Sequence, residues 1–261
     1  MRSLNTAATG MLAQQLNVEV ISHNIANLST TGFKRSRAEF QDLLYQNERR
    51  VGSTSSDAGT TVPTGTQVGL GVKTAAVYRM HDQGNLLPTN NPLDLAIQGL
   101  GFFQIELPNG ETAYTRAGAF QLNQEGRIVT ADGLTLLPGL TVPEQALSVT
   151  VNSSGQVLVR TPGNVDPQNV GQIQLVTFIN EAGLQAIGNN LFLQTPASGQ
   201  PQEGAPGADA FGTVLQGFLE TSNVNVVSEI TSLITAQRAY EMNSRVIETS
   251  DQMMQTVSQL R

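Results

Sequence analysis

The chain has 261 residues, no cysteine and a formal net charge of −7, with only 13% of it Asp, Glu, Lys or Arg. Disulfides, zinc thiolates and cysteine nucleophiles are thereby excluded, and an acidic chain without a basic face has no field for nucleic acid. No apolar run reaches the roughly 18 residues of a membrane span, so direct membrane insertion is not expected.

The first predicted element is a helix over residues 4–28. Leu4, Met11, Val18 and Ile25 recur every seven residues, and Ala7, Gln14, Ile21 and Leu28 form a companion row three residues later. Seven of these eight positions are apolar, as in the seam of a coiled coil. Four heptads fit either a supercoil or a straight helix with a wide apolar face. Ser29-Thr30-Thr31-Gly32 then supplies turn residues and a left-handed Gly. Arg2 is the only early base, and the stretch after it is an amphipathic stripe unlike a signal peptide; passage out of the cell would need another export route.

Residues 33–50 are expected to continue with helical character through Phe33, Ala38, Phe40, Leu43, Leu44 and Tyr45, and Lys34, Arg35, Arg37, Arg49 and Arg50 to form its solvated face. Residues 46–66 include a Gly/Ser/Thr-rich stretch, 52–65, that reads as an extended arm. Short alternating segments resume over 67–79. Strand and turn signals then recur: 102–107 and 112–115 about Asn109-Gly110, 120–123 and 127–130 about Gly126, 148–151 and 156–160 about Gly155, then 173–179 and 191–194. They predict a small β domain over about residues 93–195. Residues 195–209, rich in Pro and Gly, read as a return linker.

The last predicted element is a helix over 226–257. Val226, Leu233, Tyr240, Ile247 and Met254 recur every seven residues, and Ile230, Ala236 and Val257 widen the stripe. Thr221, Ser222, Asn223 and Asn225 precede it as N-cap types do. Glu241 stands three residues after Arg238 and four before Arg245, spacings that stabilise a helix surface. Either helix could pack on its own domain, as most amphipathic helices do. Two stripes this long beside a modest middle favour burial against further copies.

Charge supports that division. Between Asp94 and Asp209 stand ten acidic and three basic residues, and the rest of the chain balances. An acidic body can face solvent while neutral ends crowd together. Catalytic patterns are absent. His23 and His81, the only histidines, lie in different segments, and no Ser occupies a G-x-S-x-G elbow. Gly69-Leu-Gly71 and Gly99-Leu-Gly101 lack the third Gly of a dinucleotide loop. Asp94, Glu106, Glu111, Glu125 and Asp132 could supply a carboxylate pair for sugar hydrolysis, though their spacing does not demand it. The leading class is a structural assembly protein; the rival from another class is a periplasmic glycan-cleaving enzyme.

Ser22-His-Asn-Ile-Ala-Asn-Leu-Ser-Thr-Thr-Gly-Phe-Lys34 resembles the N-terminal signature of bacterial flagellar axial proteins, the rod and hook family. Gly217-Phe-Leu-Glu-Thr-Ser-Asn-Val-Asn-Val-Val227 and Gln237-Arg-Ala-Tyr-Glu-Met-Asn-Ser-Arg245 resemble its C-terminal signature. Asn91 to Phe103, Tyr114 to Phe120 and Asp132-Gly133 join the likeness in the middle. Its motif residues here are Asn24, Asn27, Thr31, Gly32, Asn223, Gln237, Arg238, Tyr240 and Asn243. The resemblance implies an α+β fold in which long terminal helices form a coiled-coil-like domain beside a β-rich middle. It divides the chain into 1–45 and 211–261 as helical assembly core, 46–75 as arm and connector, and 76–210 as outer domain. It further implies a structural subunit without cofactor or metal, exported through the flagellar type III apparatus, that forms a hollow helical homopolymer. Implied partners are its own copies, proximal rod and hook proteins, the P-ring and L-ring proteins and the export apparatus. Leu4, Met11, Val18, Ile21, Ile25, Leu28, Val226, Ile230, Leu233, Tyr240, Ile247, Met254 and Val257 would carry self-assembly.

Overall fold

The computed structural model describes residues 2–49, 64–163, 166–208 and 210–259. The arm expected at 52–65 lies outside them except for residues 64 and 65. The fold is α+β: helix α1 spans Arg2–Ala26, helix α2 spans Val226–Gln259, and the described residues between are rich in strands. No helix among the described residues is long and apolar enough to cross a membrane.

The chain divides into two compact units. One lies within Met1–Ile25, Ser36–Tyr78 and Asn225–Arg261, the other within Ala26–Arg35 and Arg79–Val224. In the first, the helical expectation for 33–50 is overturned. Ser36–Asp42 is a strand paired with Val72–Arg79, and Tyr45–Arg49 pairs antiparallel with Thr66–Gly69, Tyr45 opposite Gly69. Burial in Ser36–Asp42 alternates residue by residue over most of its length, a period of two in place of the helical period that its apolar positions suggest. Strand Val72–Arg79 is tied to α1, where the Thr9 hydroxyl accepts the Val72 amide at 3.3 Å.

In the second unit the largest sheet runs Gln185–Gly188, Leu191–Leu193, Thr112–Thr115, Phe102–Glu106, Thr135–Leu136, Ile128–Thr130 and Phe120–Leu122. Leu175–Thr177 also pairs with Phe102–Glu106 and carries Gln202–Gly204 on its other side. Alternation along these strands feeds two cores. Phe103, Ile105, Ala113, Leu175 and Leu191 face one, beside Ile97, Phe120, Val157 and Ile173. Phe102, Tyr114, Val176 and Phe192 face the other, beside Phe178 and Leu184. Burial on both faces explains why apolar residues stand side by side in these strands, as at Phe102-Phe103, Leu175-Val176 and Leu191-Phe192.

The expected hairpins form about their glycines: Glu106 pairs with Thr112, Leu122 with Ile128, and Val151 with Val157. At the first, the Gly110 amide donates to the Leu107 carbonyl at 2.9 Å. The strand expected at 173–179 is confined to Leu175–Thr177. The return linker contains a paired strand, Gln202–Gly204, whose Gln-Glu-Gly sequence has no apolar alternation to announce it. Strand Thr213–Gln216 closes on Leu95–Gln98 and brings Val214 into the first core, so this core extends beyond residue 195.

Candidate assembly helices and the buried ion cluster

Helix α2 starts at a built cap. Asn225 Oδ1 accepts the Ser228 amide at 3.2 Å, and the Asn225 carbonyl accepts the Glu229 amide at 3.0 Å, an N-cap drawn from the cluster read in the sequence. Glu229 in the first turn suits the positive end of the helix dipole. After α1, the Thr30 amide donates to the Asn27 carbonyl and the Thr30 hydroxyl to Asn27 Oδ1, both at 3.2 Å. Gly32 then takes φ +67°, and a Cβ there would stand 2.7 Å from the Ala117 amide nitrogen. The position needs glycine for its conformation and for its space.

The two helices meet in one unit. Ser250 Oγ lies 3.3 Å from Ser3 Oγ, the Asn243 amide covers Gly10, and Asn24 Nδ2 donates to Glu229 Oε2 at 3.2 Å. Gln15, Val18, Glu19, Gln237, Tyr240 and Glu241 line a groove of about 360 Å³ along the pair. Of the residues expected to carry self-assembly, Ile21 is buried, and Leu4, Met11, Val18, Ile25, Leu28, Leu233 and Ile247 are half-buried. Val226, Ile230, Tyr240 and Met254 are exposed; the Val257 side chain lies outside the description. Further apolar residues stand open on α2: Val227 at 76% exposure, Ile234 at 46%, Met242 at 62%, Val246 at 44% and Met253 at 61%. They sit off the seven-residue rows, which is why the sequence reading did not single them out.

The motif asparagines hold backbone. Asn24 is buried and brackets Ser36, accepting its amide and donating to its carbonyl, both at 2.8 Å. Asn223 accepts the Arg35 amide at 2.8 Å and donates to the carbonyls of Met80 and Asp82 at 2.9 and 3.0 Å. The Thr31 carbonyl accepts Asn190 Nδ2 at 2.9 Å. Gln237 and Arg238 are exposed, with Gln237 on the groove.

Three of the quoted signature segments meet in a buried ion cluster that the sequence reading missed. Lys34, Arg116 and Glu220 are 1%, 2% and 0% exposed. Glu220 Oε1 accepts Lys34 Nζ at 2.6 Å and the Gly84 amide at 2.8 Å, while Arg116 Nη1 approaches Glu220 Oε2 at 3.4 Å. Lys34 also donates to the Asp82 carbonyl at 2.8 Å, Arg116 Nη2 donates to the Gly99 carbonyl at 2.8 Å, and the guanidinium stands over Phe102. The expectation that Lys34 belongs to a solvated helix face is therefore wrong: residue 34 lies outside any helix, and the ammonium turns inward to Glu220.

Burial lowers the Lys34 pKa, with Glu220 opposing; burial likewise lowers that of Arg116. His81 packs edge-on to Phe102 and Phe192, and its Nδ1 is buried without a hydrogen bond. Burial, then the charges of Lys34, Arg116 and Arg79, pull its pKa to about 3, so the imidazole is neutral. Burial raises the pKa of Glu181.

Of the carboxylates considered for sugar hydrolysis, three accept side-chain hydrogen bonds at turns and loops. Asp94 is buried and accepts the Thr89 hydroxyl at 2.6 Å and Asn91 Nδ2 at 3.0 Å. Glu111 and Asp132 accept Asn109 and Asn189 side chains. Glu106 and Glu125 are exposed, Glu125 beside Arg127.

Two end helices, a strand-rich body and carboxylates engaged in turns describe a structural protein of the flagellar axial class, and three family models match the chain in that sense. "Flagella basal body rod protein" covers residues 4–34, "Flagellar hook protein FlgE/F/G D1 domain" 96–159, and "Flagellar basal body rod FlgEFG protein C-terminal" 215–260. The chain is 62% identical over 261 residues to the flagellar basal-body rod protein FlgG of Caulobacter vibrioides, with both chains covered completely. It is 54% identical to FlgG of Agrobacterium fabrum, over 99% of this chain and 98% of that one, and 46% identical to FlgG of Borreliella burgdorferi, over 100% and 99%. The chain belongs to the flagellar basal-body rod protein family and within it is most like the distal rod protein. It is a structural subunit of that rod; the glycan-cleaving alternative is overturned by this membership.

Proposed function

We propose that the chain builds the distal rod as a hollow helical homopolymer, a drive shaft that transmits torque and lets later subunits pass. Residues 1–45 and 211–261 are the assembly core, in which α1 and α2 pack as a coiled-coil-like pair bordered by neighbouring copies. Residues 46–75 are arm and connector, and 76–210 the outer domain. The subunit leaves through the flagellar type III apparatus without signal cleavage. Proximal rod, hook, P-ring and L-ring proteins adjoin the finished shaft.

The observation that carries this reading is the open apolar surface of α2. Val227, Ile230, Ile234, Met242, Val246 and Met253 remain exposed after α1 has packed. Covering each large side chain contributes roughly 1.5–3 kcal/mol, and a contact repeated head to tail without closing yields a filament. The test is sedimentation of the purified full chain over a range of concentrations, with electron microscopy of the pellet. Rods that grow with concentration support the reading; chains that stay monomeric at every concentration, or close into small rings, remove it.

A further inference from the structure

The contacts between α1 and α2 share one register. Ser3 meets Ser250, Gly10 meets Asn243, and Asn24 meets Glu229. The paired numbers have a constant sum, as an antiparallel pair requires, and the interval places Asn17 opposite Ala236. On α1 this row is Ser3, Gly10, Asn17 and Asn24; on α2 it is Glu229, Ala236, Asn243 and Ser250. Every described α2 side chain that is buried, Glu229, Ala236 and Ser250, belongs to it. On α2 the line of contact is thus made of small and polar residues; on α1 its row stands one position away from the apolar row of Leu4, Met11, Val18 and Ile25, with Asn24 buried on it and Ala7, Ala13 and Ile21 buried beside it.

We propose that this polar row is a register lock, by which α1 selects its own chain's α2 in a single alignment. The inference rests on the reading of α1 and α2 as one assembly core. Apolar rows repeating every seven residues superimpose again after a slip of one heptad, so they discriminate poorly between alignments. Polar residues on the same face do discriminate, because a slip separates matched donors and acceptors. Shifting α2 by one heptad places Asn24 opposite Ala236, which has no acceptor on its side chain. Asn24 is already oriented before α2 arrives, because it grips both backbone groups of Ser36. Gly10 belongs to the lock by its lack of a side chain: a Cβ there would stand 2.9 Å from Asn243 Nδ2. A bulkier residue at 10 displaces the Asn243 amide. A glycine inside a helix costs about 0.5–1 kcal/mol against alanine, and the seat it leaves for Asn243 accounts for its presence.

Since the chain has no cysteine, engineered pairs can read the register in the full chain under assembling conditions. Ser3→Cys with Ser250→Cys reports the native alignment, and Ser3→Cys with Val257→Cys, one heptad further along α2, reports the slip. In the otherwise unaltered chain the native pair should oxidise at least about tenfold more completely, at the mass of one chain. In the Asn24→Leu/Glu229→Leu background, which keeps the volume and removes the polar match, the two pairs should oxidise to similar extents. Glu229→Gln, which still offers Asn24 an acceptor, should preserve the preference. The lock is overturned if the native pair is not preferred, if it forms between chains, if the Leu/Leu background keeps the full preference, or if Glu229→Gln loses it as completely. Sedimentation of the same samples reads polymer growth separately: a native cross-link in chains that never sediment sustains the lock and removes the polymer.

Discussion

Glu220 is the residue on which the second unit's polar interior turns. Two buried cations converge on its carboxylate, and Lys34 stands closer than Arg116. Removing the anion leaves both cations in a low-dielectric interior, which is more damaging than removing one of two cations. Glu220→Gln should therefore cost about 3–5 kcal/mol and Lys34→Met distinctly less, compared by urea unfolding of the full chain; equal losses would mean that the pairing is not the source of the effect. His81 gives the same region a pH dependence. Its pKa is about 3 in the fold and about 6.5 in the unfolded chain, so between those values the unfolded chain holds more protons. Stability is present above about 6.5 and is lost as pH falls toward 3, by roughly a few kcal/mol in all. Glu181, whose pKa is raised, works in the opposite direction. His81→Phe, which keeps an aromatic ring against Phe102 and Phe192, should flatten the decline in unfolding midpoint between pH 7 and pH 4.5. An unchanged slope would relieve His81 of that role.

At the scale of elements, the helices and the glycine-centred hairpins were legible, because long apolar periods and turn glycines are local signals. Segment 36–49 was not. Its Phe40, Leu43 and Leu44 fit a helical period, but pairing with Val72–Arg79 and Thr66–Gly69 settles it as strand, and partners so far along the chain leave no trace in the segment itself. The short strands Gln202–Gly204 and Thr213–Gln216 were missed for the same reason. In the helices the seven-residue apolar rows were legible as a stripe, whereas the in-chain pairs Ser3–Ser250, Gly10–Asn243 and Asn24–Glu229 were not. The small and polar residues of those pairs carry no hydrophobic signal, and Val227, Ile234, Met242, Val246 and Met253 of the open surface fall outside the seven-residue rows. Ile234→Asp or Ile230→Asp should consequently abolish sedimentable polymer while leaving the urea midpoint of the β-rich unit within about 0.5 kcal/mol of the parent; polymers of normal yield would exclude this surface from assembly. Asn225→Ala removes the α2 cap and should cost about 1 kcal/mol, seen as faster amide exchange in the first turn of α2, with a uniform rate increase along the helix as the contrary result.

For the molecule as a whole, the β-rich unit has two filled cores and an internally satisfied anion, whereas the helical unit keeps large apolar side chains in water. The first can fold on its own contacts. The second gains most of its remaining burial only when copies meet, so ordering α2 and growing the rod are coupled. The direct measurement is amide exchange along α2 in the full chain, followed from dilute solution to the concentration at which it sediments. The account predicts weak protection of Val226–Gln259 when dilute and strong protection in the pellet, with Phe102–Glu106 protected in both. Equal protection of α2 in dilute monomers and in the pellet would contradict it.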